Sequence, residues 1–395
     1  MLSPNTIALV KATVPVLKQH GEAITQHFYR LLLTRHPELK AFFNEAHQVH
    51  GTQARALAGA VLAFASHIDQ LDALAGALPR IVQKHAALGV QPEHYPIVGG
   101  CLLQAIRDVL GEAATDDIVG AWGEAYGVLA KILIDAEEAV YRDNAAQPGG
   151  WRGTRGLRIA RKVQESEIIT SFYLEPADGG VLPAFRPGQY LTLLLTIDGA
   201  PTRRHYSLSD APGKPWYRIS VKREPGGRAS NWLHDHTAVG DVLQALQPCG
   251  DFVLEQAAND RPLVLVTGGV GITPAISMLE AAAPAGRPVH FIHAARHGGV
   301  HAFRERVDAI AANHGNVSVC YVYDTPREGD DPHAVGFVTR ELLASRLPAD
   351  RDVDFYLLGP KAFMRSVYAD GRALGIAPER LRFEFFGPLE DLQAA

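Results

Sequence analysis

The spacing of apolar residues changes twice along this 395-residue chain. A helix repeats about every 3.6 residues and a strand every two, so spacing alone separates three regions. Up to about residue 145 the apolar positions step by three or four. Leu78, Ile81, His85 and Leu88 share one helix face, and Trp122, Tyr126, Leu129 and Leu133 share another. Ser3 before Pro4 reads as a helix cap followed by a first-turn proline. Gln147-Pro-Gly-Gly150 then breaks the pattern. Short strands follow at Gly156–Lys162, Ile168–Glu175, Tyr190–Ile197 and Tyr217–Arg223, with turns such as Asp178-Gly-Gly between them. About six strands at this spacing predict a small barrel. From about residue 260, apolar strands at Pro262–Thr267, Val289–Ala294, Val317–Tyr323 and Asp354–Leu358 alternate with helical stretches. That alternation predicts a parallel α/β sheet. The expected architecture is multidomain. An all-α domain spans 1–140, a linker 141–150, a six-stranded antiparallel β-barrel 151–258 and an α/β parallel-sheet domain 259–395.

Composition narrows the function classes. Apolar residues at 47% and charged residues at 21% exclude a disordered, collagen-like or coiled-coil chain. A net charge of −5 without a long basic run leaves no footprint for nucleic acid. Cys101, Cys249 and Cys320 lie far apart, so neither a disulfide framework nor a cysteine zinc site is expected. Lys11 and Lys18 interrupt the N-terminal apolar residues, which excludes a signal-peptide core. Nothing approaches the roughly 18–20 consecutive apolar residues of a spanning helix. A cytoplasmic protein is the expectation, and nothing demands a second copy, so a monomer is expected.

The barrel region carries Arg203-Arg204-His205-Tyr206-Ser207 and Pro187-Gly188-Gln189-Tyr190. Arg204 suits a pyrophosphate, Tyr206 a flat ring system and Ser207 a hydrogen bond to the edge of that ring. The same string also fits an amphipathic strand with surface charge. Gly226-Gly227-Arg228-Ala229-Ser230-Asn231 precedes an expected helix at Trp232, with Ser230 as the cap of an anion-binding start or of an ordinary helix. Thr267 is followed by Gly268, Gly269, Val270, Gly271, Ile272 and Thr273, after a strand and before a helix. Glycines there let a backbone approach pyrophosphate, with Thr273 as the expected cap and Pro274 as the first helical residue. In this order the motifs resemble the ferredoxin–NADP reductase superfamily over roughly residues 151–395. Gly359-Pro360 with Phe363-Met364 matches a late element of that superfamily, although Leu358 stands where its members usually carry Cys. The resemblance implies FAD held by Tyr190, Arg204, His205, Tyr206, Ser207 and Ser230. Glu384, Phe385, Phe386, Gly387 and Pro388 would close over the flavin, with Glu384 tuning its potential. NADH or NADPH would lie on Gly268–Thr273.

The helical region resembles a globin over about residues 1–140, through His36-Pro37-Glu38-Leu39 with Phe42-Phe43, Gln53 with Leu57, Lys84-His85 and Tyr95-Pro96. This implies haem b with His85 on the iron and Phe43 wedging the ring. Tyr29, Gln53 and Leu57 would lie on the distal side, and Lys84 would tune the potential. Without the resemblance, His85 between Ile81 and Leu88 reads as a core histidine. Glu137 is more telling. It continues the Leu129–Leu133 face, where burying a carboxylate is costly unless it has a partner. The ring N–H of His85 is the expected partner, with the Tyr95 hydroxyl tying the two together. Such a carboxylate makes the imidazole a stronger donor to iron. Glu138 reads as the ordinary solvated neighbour.

A globin joined to such a reductase resembles the flavohaemoglobins over nearly the whole chain. That resemblance implies a nitric oxide dioxygenase that detoxifies NO, converting NO and O₂ to nitrate at the haem with NAD(P)H electrons passed through FAD. The logic is electronic: nicotinamides give electron pairs, haem takes single electrons, and flavin converts between them. The alternative is an O₂-binding sensor globin coupled to a general quinone or pteridine reductase. A largely apolar distal pocket would also accept a lipid.

Overall fold

The computed structural model describes residues 2–43, 51–70, 76, 78–255 and 261–386. The chain divides into two compact units, one centred on Met1–Ala145 and the other on Ala146–Ile197 with Arg204–Phe386.

The first unit is helical: α1 (Pro4–Ala12), α2 (Val14–Arg35), α3 (Thr52–Ser66), α4 (Leu78–Leu88), α5 (His94–Leu110) and α6 (Asp116–Ala146). Ser3 caps α1 as expected, its hydroxyl accepting the Thr6 N–H at 3.0 Å. α2 stops at Arg35 because His36 precedes Pro37, which disfavours helical backbone there. Val10, Ile24, Leu32 and Trp122 form part of a core cluster and are nearly inaccessible. Burying each such side chain contributes roughly 1.5–3 kcal/mol. α6 runs on to Ala146, so the segment expected as linker from residue 141 is helical that far. The Tyr141 hydroxyl holds this last stretch by donating to the Val90 carbonyl at 2.6 Å. Gly99 of α5 permits a close approach to α6. A Cβ there would lie 2.5 Å from Cε1 of Tyr126.

Two helix faces differ from their spacing. On α4 the expected face (Leu78, Ile81, His85, Leu88) is only half-buried, and the deeply buried positions are Val82, Ala86 and Ala87. On α3, Phe64 is buried, Leu57 is half-buried and Ala60 is exposed. Periodicity identifies an apolar stripe but not what covers it.

The second unit begins with strands β1 (Arg155–Gln164), β2 (Ile169–Pro176), β3 (Tyr190–Ile197), β4 (Ala200–Ser207) and β5 (Tyr217–Lys222). Helix α7 (Arg228–His236) and strand β6 (Val242–Ala245) follow. These strands form a six-stranded sheet in the order β4-β3-β6-β1-β2-β5, and the pairings of β1 with β2 and β6, of β2 with β5 and of β3 with β6 are antiparallel. A bridge from Leu208 to Ile219 joins the end of β4 to β5 and closes the sheet. Next come β7 (Leu263–Gly268), α8 (Ile272–Ala282), β8 (Val289–Ala295), α9 (Arg304–Asn313), β9 (Val317–Tyr323) and β10 (Ala334–Val335). The chain continues through α10 (Arg340–Arg346), β11 (Asp354–Leu358), α11 (Lys361–Ala373) and β12 (Leu381–Phe383). This sheet has the order β10-β9-β8-β7-β11-β12, with parallel pairs throughout. All six residues of β7 are buried, as expected for a parallel strand covered on both faces. β7 has β8 on one side and β11 on the other, so the strand order reverses there. In sheets of this type a ligand crevice opens at that reversal, beyond the strand C-termini, and here Gly268–Gly271 occupy it.

Candidate functional site

In the helical unit three side chains from three helices converge. His85 Nδ1 lies 2.7 Å from Glu137 Oε1 and 3.2 Å from the Tyr95 hydroxyl, which donates to the same carboxylate oxygen at 2.6 Å. Glu137 is only 2% exposed. An ionised carboxylate only accepts, so the proton of a neutral His85 sits on Nδ1 and Nε2 keeps its lone pair. Burial pushes the Tyr95 phenol far up, and the hydrogen bond to Glu137 adds to the shift, so Tyr95 stays a donor. Tyr126 extends the group, donating its hydroxyl to the Tyr95 carbonyl at 2.7 Å. Sequence reasoning placed Tyr126 on an apolar helix face but not in this group, and the signal for its place here was Gly99 opposite it. Glu138, expected to be solvated, is half-buried.

The donor set fits an iron porphyrin. The imidazole retains 33% side-chain exposure on an otherwise apolar helix face, with its free lone pair on Nε2 and a buried anion behind it. Lys84 beside it is half-buried. Tyr29 is buried in α2, and its ring meets Phe43 edge-on at 5.6 Å. Burial raises the Tyr29 phenol, so it too remains protonated. Gln53 and Leu57 lie half-buried in α3. Phe43 and Leu57 are half-buried against the core that contains Tyr29.

In the second unit, β4 carries Arg204, His205 and Tyr206, all half-buried, and the buried Ser207. A run of half-buried residues in one strand leaves polar groups within reach of a ligand. His205 Nδ1 lies 2.7 Å from the Thr192 hydroxyl, and its ring is 4.8 Å from that of buried Tyr190. Thr192 was not anticipated. It lies two residues after Tyr190, on the same strand face, where alternation could have flagged it. A guanidinium, a buried hydroxyl and a phenol on one strand fit a flavin dinucleotide.

Two expected caps are corrected. α7 begins at Arg228 after Gly227, so Ser230 lies inside the first turn, where its hydroxyl accepts the Glu224 N–H at 3.2 Å. α8 begins at Ile272, so Thr273 is its second residue and donates back to the Val270 carbonyl at 3.0 Å. Pro274 is therefore third rather than first. The tight glycine turn lets each helix start earlier than a hydroxyl rule suggests. Gly268, Gly269, Val270 and Gly271 lead into the α8 N-terminus, whose free amides favour an anion. A Cβ on Gly271 would lie 2.6 Å from the Leu358 carbonyl oxygen and 2.9 Å from Gly359 N, so the two late nucleotide motifs abut. Gly271→Ala should destabilise the protein by roughly 1–3 kcal/mol through overpacking and weaken NAD(P)H binding, as read by thermal unfolding and nucleotide titration. Unchanged values for both would mean that the turn tolerates a side chain.

Glu384 and Phe385 are half-buried, Phe385 lying 5.8 Å from Phe383, and Phe386 is 55% exposed. Gly387 and Pro388 lie outside the described residues.

Family models match three segments: Globin over residues 26–133, Oxidoreductase FAD-binding domain over 157–254 and Oxidoreductase NAD-binding domain over 265–369. A flavohemoprotein of Burkholderia sp. (strain TH2) is 55% identical over 394 residues, covering 99% of this chain and all of the relative. One of Pseudomonas aeruginosa is also 55% identical, over the full length of both chains. Among solved structures, flavohemoglobin from Malassezia yamatoensis with bound FAD and heme aligns with a TM-score of 0.86 at 31% identity, covering 98% of this chain and 100% of that one. The FAD/NAD-binding domain of nitric oxide dioxygenase from Vibrio cholerae aligns with a TM-score of 0.55 at 36% identity, covering 59% of this chain and 99% of that one.

Proposed function

The chain belongs to the flavohemoprotein family, and from that premise we propose that it is a nitric oxide dioxygenase that detoxifies NO with electrons from NADH or NADPH. The observation that carries the reading is the buried Glu137 carboxylate held against His85 and Tyr95, in a chain that also has flavin and nicotinamide motifs. FAD, when bound, divides the electron pair of the nicotinamide into single electrons, and haem b supplies the iron at which NO and O₂ give nitrate.

The chain's own residues have these tasks. Residues 1–140 form the haem domain, 151–258 the FAD domain and 259–395 the NAD(P) domain, with 141–150 between the first two. His85 Nε2 holds the iron. Glu137 accepts the Nδ1 proton and raises the imidazole's donor strength, and Tyr95 holds the carboxylate in line. The Tyr29 hydroxyl and Gln53 amide donate hydrogen bonds to oxygen, while Phe43 and Leu57 keep water out. Arg204 neutralises the flavin pyrophosphate, Tyr206 packs on the ring, and Ser207 hydrogen-bonds its edge. Tyr190, His205 and Ser230 complete that site, and Glu384, Phe385 and Phe386 cover it. Gly268–Thr273 receive the nicotinamide dinucleotide. Lys84 and Glu384 tune the two potentials. NO is small and neutral, so its recognition needs no charged group. The same reading makes the protein a cytoplasmic monomer whose apolar distal pocket also admits a lipid.

The test is NO consumption by the purified holoprotein in air with NAD(P)H. Electron counting requires two NO consumed per nicotinamide and nitrate as the product. Turnover of quinones or pteridines that exceeds that of NO would instead support the sensor–reductase alternative. Tyr29→Phe should raise the O₂ dissociation rate about tenfold or more, since a hydrogen bond to a charged acceptor is worth roughly 1.5–3 kcal/mol. An unchanged rate in a flash-photolysis or ligand-replacement measurement would remove Tyr29 from this role.

A further inference from the structure

Two buried carboxylates, Asp210 and Glu280, meet where the flavin strand passes the nucleotide helix, and no step described above uses them. Each side chain is 3% exposed. Glu280 lies on α8, eight residues after Ile272, the first residue beyond the glycine turn. Asp210 lies three residues beyond Ser207, the last residue of β4. α8 grips this stretch of main chain twice. Ser277 donates its hydroxyl to the Asp210 carbonyl at 2.7 Å, and the Ala211 N–H donates to Glu280 Oε2 at 2.8 Å. Ser277 and Glu280 are one helical turn apart, so they share a face.

Cations surround the pair. Arg306 Nε donates to Glu280 Oε1 at 2.9 Å, and Arg218 Nη2 lies 3.8 Å from the same oxygen. Lys214 is ion-paired with Asp210 and lies 4.0 Å from Glu280 Oε2, and Trp216 Nε1 donates to Asp210 Oδ2 at 3.0 Å. Burial raises the Glu280 carboxyl, and its hydrogen bond with Asp210 raises it further. Burial acts on Asp210 in the same direction, but the hydrogen bond with Glu280, the charge of Arg218 and the donors Lys214 and Trp216 outweigh it and hold Asp210 below its ordinary range.

Desolvating this many charges makes poor glue, because apolar side chains of similar volume often hold two surfaces together better. Apolar contacts, however, tolerate sliding, whereas directional bonds to both the carbonyl and the N–H of the Asp210–Ala211 peptide group fix one register. We propose that Glu280, with Ser277 and Asp210, is a positioning residue for hydride transfer, locking the segment after the flavin strand to the helix that opens at the dinucleotide turn. The step it serves is balanced: a hydride leaves C4 of the nicotinamide and bonds to N5 of the flavin, oxidising NADH to NAD⁺ and reducing FAD. A misplacement of about 1 Å in such a step costs on the order of 100-fold. The inference rests on the flavin and nicotinamide assignments above but not on NO as substrate.

Its test is anaerobic stopped-flow reduction of the flavin in the full-length holoprotein by NADH, or by NADPH if that reduces the wild type faster. Neither NO nor O₂ is present, so the outcome is separate from that of the dioxygenase assay. Glu280→Ala should slow flavin reduction at saturating nucleotide at least tenfold, with nucleotide Kd within twofold and FAD content unchanged. Glu280→Gln, which can still accept the Ala211 N–H, should recover to within about threefold of wild type. Hydrogen exchange gives a readout independent of turnover. Amides of residues 208–216 should exchange at least tenfold faster in Glu280→Ala, while those of β1 and β8 are unchanged. A wild-type reduction rate, a loss confined to Kd, or uniformly faster exchange would overturn the proposal. Should Glu280→Ala fail to fold, Ser277→Ala decides. Slower flavin reduction at unchanged Kd supports the proposal, and a wild-type rate overturns it.

Discussion

Replacing His85 by alanine is expected to abolish haem retention and lower NO consumption by at least 100-fold, while FAD stays bound and NAD(P)H still reduces it. His85 supplies the one nitrogen of the proximal group that keeps a free lone pair, because Nδ1 is committed to Glu137 at 2.7 Å. Alanine removes the ligand and leaves the Glu137 carboxylate buried with Tyr95 as its remaining donor in this group. Tyr190, Arg204–Ser207, Ser230 and Gly268–Thr273 belong to the other compact unit, with its own barrel and sheet cores. The checks are the Soret-to-flavin absorbance ratio and an NO electrode trace. Loss of flavin together with haem would show that the two units do not fold independently, and normal haem content would remove His85 as the ligand.

Glu137→Leu is expected to lower NO turnover by roughly 10- to 100-fold, the usual cost of removing a partner that orients a metal-bound histidine. The substitution fits the apolar face of α6 by size, yet it strips the acceptor from two donors, the His85 ring N–H and the Tyr95 hydroxyl. An unsatisfied buried donor costs about 1–3 kcal/mol, so haem affinity and thermal stability should fall together. Glu137→Gln separates charge from geometry. Its amide oxygen can still accept both hydrogen bonds, which Glu137 takes on the single oxygen Oε1, but it no longer places an anion behind the imidazole. The haem midpoint potential should therefore rise in Glu137→Gln even where stability recovers, because an imidazole with less anionic character stabilises the oxidised iron less. A potential and a turnover both equal to wild type in Glu137→Gln would assign the carboxylate a packing role only.

How much was legible from residue order depended on the range of the interaction. Tyr190–Ile197, Val317–Tyr323 and Asp354–Leu358 form strands with the bounds that alternation and turn residues predict. The Ser3 cap and the break at Pro37 are equally local. The starts of α7 and α8 were misplaced because a glycine turn, rather than the hydroxyl of Ser230 or Thr273, decides where the chain enters the helix. Glu137 stood out as a carboxylate on an apolar face. Its partners His85 and Tyr95 lie 52 and 42 residues away, and they reach it through close packing of α5 on α6, where Gly99 leaves room for the Tyr126 ring.

Periodicity and short-range stereochemistry, which act between residues a few positions apart, were enough to determine three successive textures, their order and the motifs that each would carry. The tertiary structure alone decided that the apolar stripe of α4 is half-open around His85, which of its ring nitrogens is occupied, and that Asp210 faces Glu280. Those outcomes depend on desolvation and on hydrogen-bond geometry between segments distant in the chain, and neither quantity exists until the helices and sheets have packed.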